Sequence, residues 1–179
     1  MSLAICVFCG SRAGDSPAYV QSARDLGAGI GAAGWKLVYG GGDVGLMGIV
    51  ADAALQAGAE VIGIIPQRLL DREVGKREVS ELVVTRTMYE RKQIMVERSD
   101  AFVVLPGGLG TLDELLEVIT LRQLGYHDSP IIIVDIDGYW APCIGLLDRV
   151  IETGFADATA RDLYSIEPTV EATLAALRR

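Results

Sequence analysis

Short apolar runs alternate with alanine- and leucine-rich helical stretches along almost all of the 179-residue chain. Several of those runs, Ile131-Ile132-Ile133-Val134 above all, are apolar without interruption, as strands buried on both faces must be. Three glycine-bearing loops follow apolar runs. Together these observations predict an α/β, Rossmann-like doubly wound fold, a mainly parallel sheet with helices on both faces.

The elements follow in order. Leu3 to Phe8 reads as a continuous apolar strand, and Ala18 to Ala32, rich in alanine, as the first helix. Trp35 to Tyr39 is a second strand, Leu46 to Ala57 a second helix, and Val61 to Ile65 a third strand ended by Pro66. A charged connection, Gln67 to Ser80, leads to a weaker strand at Leu82 to Val84. Helix Met88 to Glu97, strand Ala101 to Leu105, helix Leu112 to Leu124, strand Ile131 to Val134 and helix Trp140 to Ile151 complete the alternation. A strand-like segment near Leu163 and a helix from Thr169 to Leu177 close it. No repeat, low-complexity tract or linker interrupts residues 1–179, which predicts a single nucleotide-binding domain with a core of useful size.

Composition narrows the function. Half of the residues are hydrophobic and 22% are charged, a globular profile. A net charge of −8 disfavours nucleic acid and anionic membrane, which both demand a basic face. Met1 to Gly10 lacks a charged leader region and no spanning stretch follows, so a cytoplasmic location is expected. Cys6 and Cys9 have the C-x-x-C spacing but fall within a strand, where buried thiols are expected and a redox pair is not. His127 is the single histidine, expected in a polar turn, so neither a histidine triad nor a multi-histidine metal site has the means to form. No metal and no cofactor are expected.

In doubly wound sheets ligands bind beyond the carboxyl ends of the strands, and the three glycine loops fall there. The first is Cys9-Gly10-Ser11-Arg12; the second runs from Gly40-Gly41-Gly42 to Gly48; the third is Pro106-Gly107-Gly108-Leu109-Gly110-Thr111. The second satisfies G-x-G-x-x-G but follows the wrong strand for a dinucleotide site, and Glu60, near the required distance, begins its strand instead of ending it. No Gly-Lys-Ser or Gly-Lys-Thr is present, which excludes a P-loop nucleotidase. A phosphorylated, nucleotide-sized ligand is the expectation, its anion on the helix N-terminus behind Gly107 and Gly108. Glu114, placed in the first helical turn, would stand beside that anion. The competing structural role is a capping box between Thr111 and Glu114. Arg91, in the helix start Met88-Tyr89-Glu90-Arg91-Lys92, offers a planar fork for phosphate, ribose or carboxylate oxygens.

Pro106-Gly-Gly-x-Gly-Thr-x-x-Glu114, with Met88-x-x-Arg91-Lys92 and Gly40-Gly-Gly-x-x-Gly-Leu-Met-Gly48 upstream, resembles the Lonely Guy family. These are cytokinin riboside 5′-monophosphate phosphoribohydrolases, once widely labelled lysine decarboxylases, and the resemblance spans the chain to Asp137-Gly138-Tyr139 and Gly154-Phe155. It implies a Rossmann-like homodimer, or an assembly of dimers, with sites at the subunit boundary. It implies Arg91 and Glu114 as the catalytic pair. Its nucleotide contacts fall on Glu73, Arg91, Lys92, Gly108, Leu109, Gly110, Thr111, Leu112, Asp113, Glu114 and Thr120, to which Ser11, Gly41, Gly42, Met88 and Gly107 are added as neighbours in the converging loops. Asp113, where many members carry glutamate, and Arg122, where alanine is frequent, depart from the pattern. The implied reaction cleaves the N-glycosidic bond of an adenosine 5′-monophosphate, N6-substituted or plain. In it Glu114 stabilises C1′ and activates water, Arg91 keeps Glu114 ionised, and Glu73 is the candidate second carboxylate. The alternative is a non-catalytic nucleotide sensor or molybdenum-cofactor carrier on the same scaffold.

Overall fold

The computed structural model describes residues 2–72 and 78–178. Glu73 lies outside the described residues. Seven strands form one sheet, every pairing parallel, in the order β4-β3-β2-β1-β5-β6-β7. They are β1 (Ala4–Phe8), β2 (Lys36–Tyr39), β3 (Val61–Pro66), β4 (Glu81–Thr85), β5 (Ala101–Val104), β6 (Ile131–Val134) and β7 (Ser165–Glu167). The helices are α1 (Pro17–Ala32), α2 (Gly45–Gln56), the short α3 (Gln67–Leu70), α4 (Met88–Glu97), α5 (Leu109–Gln123), α6 (Ala141–Glu152) and α7 (Val170–Ala176).

Alternation along each strand sends side chains to two different cores. Ile5 and Val7 of β1, with Val103 of β5, join Leu26 and Ile30 of α1 and Val50 of α2 on one face. Cys6 and Phe8, with Phe102 and Val104, meet Met95 of α4 and Leu115, Val118 and Ile119 of α5 on the other. Both faces are dry, which is why the strands carry no polar alternation. Local signals fix the ends: Ser16 caps α1 by accepting from the Ala18 N–H at 3.2 Å, with Pro17 opening the helix.

The order of the strands reverses between β1 and β5. Chain leaving β1 runs toward one edge through β2, and chain leaving β5 runs toward the other through β6, so the loops after β1 and β5 part at a crevice. The two loops are tied there: Gly10 N–H donates to Pro106 O at 3.1 Å. The loop after β2 joins them through Leu46 N–H, which donates to Gly10 O at 3.0 Å.

Three local expectations are corrected. The fifth helix begins at Leu109, not Leu112, with Gly108 as its N-cap and no side-chain cap. Thr111 is therefore inside the first turn and Glu114 in the second, and the capping box does not form. The charged connection contains the helical turn α3, and the last strand falls at Ser165–Glu167, after a 3-10 turn over Ala158–Leu163.

Candidate active site

The crevice holds two adjoining lobes that share Ser11, Gly108 and Leu109. The inner lobe, about 250 Å³, is bounded by Cys9, Met88, Arg91, Thr111 and Glu114. The outer lobe, about 510 Å³, lies between the Gly10–Asp15 loop, Tyr19, Pro106–Leu109 and Tyr139. The start of α5 borders both, and its N-cap Gly108, with Leu109 and Gly110, is exposed. Without side-chain caps, the first N–H groups of that helix are donors in need of a partner, and an anion satisfies both them and the helix dipole. Gly107 allows the turn: a Cβ there would lie 2.1 Å from Thr111 Oγ1 and 2.8 Å from Gly10 N.

Glu114 is buried, 9% exposed, and its pKa is pushed up to about 7. Burial is the main cause. Arg91 and Lys92 pull the other way, and Asp113 and Glu117 add to the rise. Arg91 thus favours the ionised form of Glu114, as expected, but desolvation outweighs the guanidinium's pull.

Arg91 is itself buried, 7% exposed, and is held by backbone. Its Nε donates to Ile64 O at 3.1 Å, its Nη2 to Gly40 O at 3.1 Å, and its Nη1 meets Met88 Sδ at 3.8 Å. The ends of β2 and β3 thereby hold a cation over the inner lobe. The helix start that carries it is capped separately, by Thr87 Oγ1 accepting from Glu90 N–H at 3.1 Å, while Glu90 Oε2 accepts from Arg86 N–H at 2.8 Å.

Of the other predicted residues, Ser11, Met88, Gly108, Leu109, Gly110, Thr111 and Asp113 border the inner lobe, and Gly107 the outer. Lys92 Nζ bridges α4 to α5 through Asp113 and Glu117, each at 3.0 Å. Burial lowers its pKa, but hydrogen bonds to those two carboxylates more than offset that and leave it raised. Leu112 packs against the core. Gly41 and Gly42 are buried, and Thr120 is exposed further along α5, its hydroxyl donating to Leu116 O at 2.7 Å; none of the three borders either lobe. Cys9 does border the inner lobe, but burial and the nearby Glu114 push its thiol well up, so it stays protonated. His127 packs against Phe102, with Nε2 at 3.0 Å from Val118 O, away from both lobes. Among the lining residues that the sequence does not assign to the site are Tyr19 and Tyr139 of the outer lobe and Met47 and Leu69 of the inner. The Asp137-Gly138-Tyr139 turn was visible, but not where it reaches. Among the described residues no cluster suits a metal ion, and no helix is long and apolar enough to cross a membrane.

A family model described as possible lysine decarboxylase matches residues 47–177. The cytokinin riboside 5′-monophosphate phosphoribohydrolase LOG3 of Arabidopsis thaliana is 46% identical over 167 residues, covering 93% of this chain and 78% of that protein. A probable enzyme of the same name from Oryza sativa subsp. japonica, LOGL2, is 46% identical over 92% of this chain and 68% of its own length. Among solved structures, the molybdenum cofactor carrier protein of Chlamydomonas reinhardtii superimposes with a TM-score of 0.76 at 21% identity, covering 99% of this chain and 96% of that one, a likeness of fold alone. The chain belongs to the family of cytokinin riboside 5′-monophosphate phosphoribohydrolases, whose model still carries the description possible lysine decarboxylase.

Proposed function

We infer that the protein hydrolyses the N-glycosidic bond of N6-substituted adenosine 5′-monophosphates, and of AMP itself, releasing free base and ribose 5-phosphate. The observation that carries this reading is a buried carboxyl, Glu114, one helical turn behind an uncapped helix N-terminus and beside a buried arginine. A pure nucleotide binder gains nothing from a desolvated carboxyl next to its anion site, whereas a glycosidase needs one near C1′.

The 5′-phosphate sits on the N–H groups at the start of α5, giving binding energy remote from the scissile bond. As the bond from C1′ to the base nitrogen lengthens, positive charge grows on the ribose. Ionised Glu114 stabilises that charge and takes a proton from water as the water oxygen bonds to C1′. The base departs with the bond's electron pair and takes up a proton from solvent, while Glu114 returns to solvent the proton it took from water, so that the hydrolysis balances. The fixed charge of Arg91 binds sugar–phosphate oxygens. Glu73 remains a proposed second carboxylate.

A decarboxylase using pyridoxal phosphate needs a lysine for the Schiff base. Lys36 is paired with Glu60 at 2.7 Å and Lys92 with two carboxylates; Lys76, outside the described residues, is the remaining lysine. The protein acts as a homodimer, alone or in a larger assembly. Exposed Met88 and Leu109 at the rim of the inner lobe, with Tyr89 and Leu116 beside them in α4 and α5, supply an apolar face that a second copy covers. Its free thiols, Cys6 and Cys9 among them, suit a reducing cytoplasm.

Purified protein given AMP, isopentenyladenosine monophosphate and the two parent nucleosides tests the reading, with free base followed by chromatography. Base release from the monophosphates alone is expected; equal turnover of adenosine and AMP would sink it.

A further inference from the structure

The chain leaving β6 makes an unusual turn. Asp137 has φ 53°, the one non-glycine residue with positive φ among the described residues, and Gly138 follows at φ 71°. Aspartate is one of the few non-glycine residues that adopt this backbone region. Here the turn is pinned at both ends: Asp135 Oδ1 accepts from Trp140 N–H at 2.6 Å, and Tyr139 N–H donates to Ile136 O at 3.1 Å. Trp140 itself is buried.

The left-handed turn delivers Tyr139 to the Pro106 loop, where its hydroxyl donates to Gly107 O at 2.5 Å. The ring is held from two sides, edge-on to Trp140 with centroids 5.0 Å apart and to Tyr19 at 5.5 Å. Two successive carbonyls of the loop are thereby tied back: Pro106 O by the Gly10 N–H at 3.1 Å, and Gly107 O by Tyr139.

A trans peptide is planar, and its C=O and N–H point in opposite directions. Fixing Gly107 O therefore fixes the direction of the Gly108 N–H, just as fixing Pro106 O fixes that of the Gly107 N–H. The loop's own sequence does not guarantee either orientation, because a run of glycines gives peptide planes unusual freedom to rotate.

We propose that Tyr139 is a positioning residue for the hydrolase: its hydroxyl locks the Gly107–Gly108 peptide so that the Gly108 N–H is aimed at the substrate's 5′-phosphate before the substrate arrives. The proposal rests on the reading of this loop as the phosphate site. The left-handed Asp137–Gly138 turn brings the tyrosine to the loop, and the ring also walls the outer lobe.

Tyr139→Phe removes only the hydroxyl and leaves the ring packing. Loss of one neutral hydrogen bond predicts a KM for AMP raised about fivefold with kcat within about threefold of wild type. Ribose 5-phosphate affinity, measured by calorimetry, falls by the same factor, and the thermal midpoint shows that the variant is folded. Wild-type KM and wild-type ribose 5-phosphate affinity in the folded variant would overturn the proposal, as would a fall in kcat with KM and affinity unchanged. Assaying wild type with adenosine beside AMP separates the two levels. If wild type does not prefer the monophosphate, the phosphate reading itself fails. If it does and Tyr139→Phe keeps the full preference and affinity, only the role of Tyr139 fails.

Discussion

Arg91 and Glu114 face the same lobe from α4 and α5, and the arginine is held there by the carbonyls of Ile64 and Gly40 instead of by the carboxylate. The cation stays in place whichever protonation state Glu114 adopts. An ion pair would have locked the carboxyl in its charged form; the backbone clamp leaves it free to titrate, with burial setting its pKa at about 7.

That arrangement makes stability depend on pH. The folded pKa of Glu114, about 7, lies above its ordinary value of 4.5, so between those values the native state holds the proton more tightly than the unfolded chain. The resulting stabilisation is complete below about 4.5 and is lost as pH rises through about 7, amounting to about 3 kcal/mol in all as an upper estimate. Glu114→Gln removes it. The variant should therefore be more stable than wild type at pH 8 in urea denaturation, and the gain should shrink as pH falls toward 4.5. A difference that does not change with pH would mean that Glu114 titrates at its ordinary value in the folded protein.

The same substitution tests catalysis. Glutamine keeps the size of the side chain but cannot carry the charge that meets the developing cation at C1′ or accept water's proton. Turnover of AMP should fall at least about 100-fold while AMP binding survives. Wild-type kcat/KM should rise with pH along a limb near 7. The substrate phosphate also ionises, with a pKa of about 6, and that contribution persists in the variant, so the comparison isolates the limb that belongs to Glu114. Near-wild-type turnover would reduce Glu114 to a buried structural group.

Oligomerisation is tested at Leu116. It lies on α5 at 41% exposure and borders neither lobe, while Leu109 on the same helix is 85% exposed. A core-facing helix in a monomer keeps such residues to one stripe; here Leu115, Val118 and Ile119 already fill it. Leu116→Glu should convert a dimer to a monomer in light scattering and lower activity, because a second copy no longer closes the site rim. A wild-type monomer at micromolar concentration would contradict the assembly.

Much of this was legible in residues 1–179. Uninterrupted apolar strands point to the covered parallel sheet that is observed, and Pro106-Gly107-Gly108 between a strand and a helix marks the place where an uncapped helix start is found. The sequence places the start of this helix at Leu112, and the spacing of Thr111 and Glu114 leaves a capping box open as the competing role, yet the helix starts earlier, at Leu109. The partners of Arg91 and Tyr139 were illegible for a different reason. They are backbone carbonyls of Ile64, Gly40 and Gly107, and backbone oxygens carry no residue-specific mark in a sequence. The raised pKa of Glu114 follows from burial by elements brought together only in the folded sheet.

Arg91 can be tested without removing its charge. A Cβ at Gly40 would lie 2.0 Å from Arg91 Nη2, so Gly40→Ala displaces the guanidinium, the far end of a flexible side chain, in preference to the backbone. If catalysis needs the guanidinium where the Gly40 and Ile64 carbonyls hold it, single-turnover base release should fall at least about tenfold although the charge remains. Arg91→Lys also keeps the charge, but its compact ammonium cannot reproduce the planar fork that reaches both carbonyls, so it should show the same loss with a lower thermal midpoint. Arg91→Ala adds the loss of charge and leaves two buried carbonyls without that donor, at a stability cost of about 1–3 kcal/mol each. The order of damage should therefore be Ala, then Lys, with Gly40→Ala the mildest for stability. If Arg91 acted only as a point charge, Gly40→Ala and Arg91→Lys would both retain most of the rate, and calorimetric AMP binding would be unchanged in both.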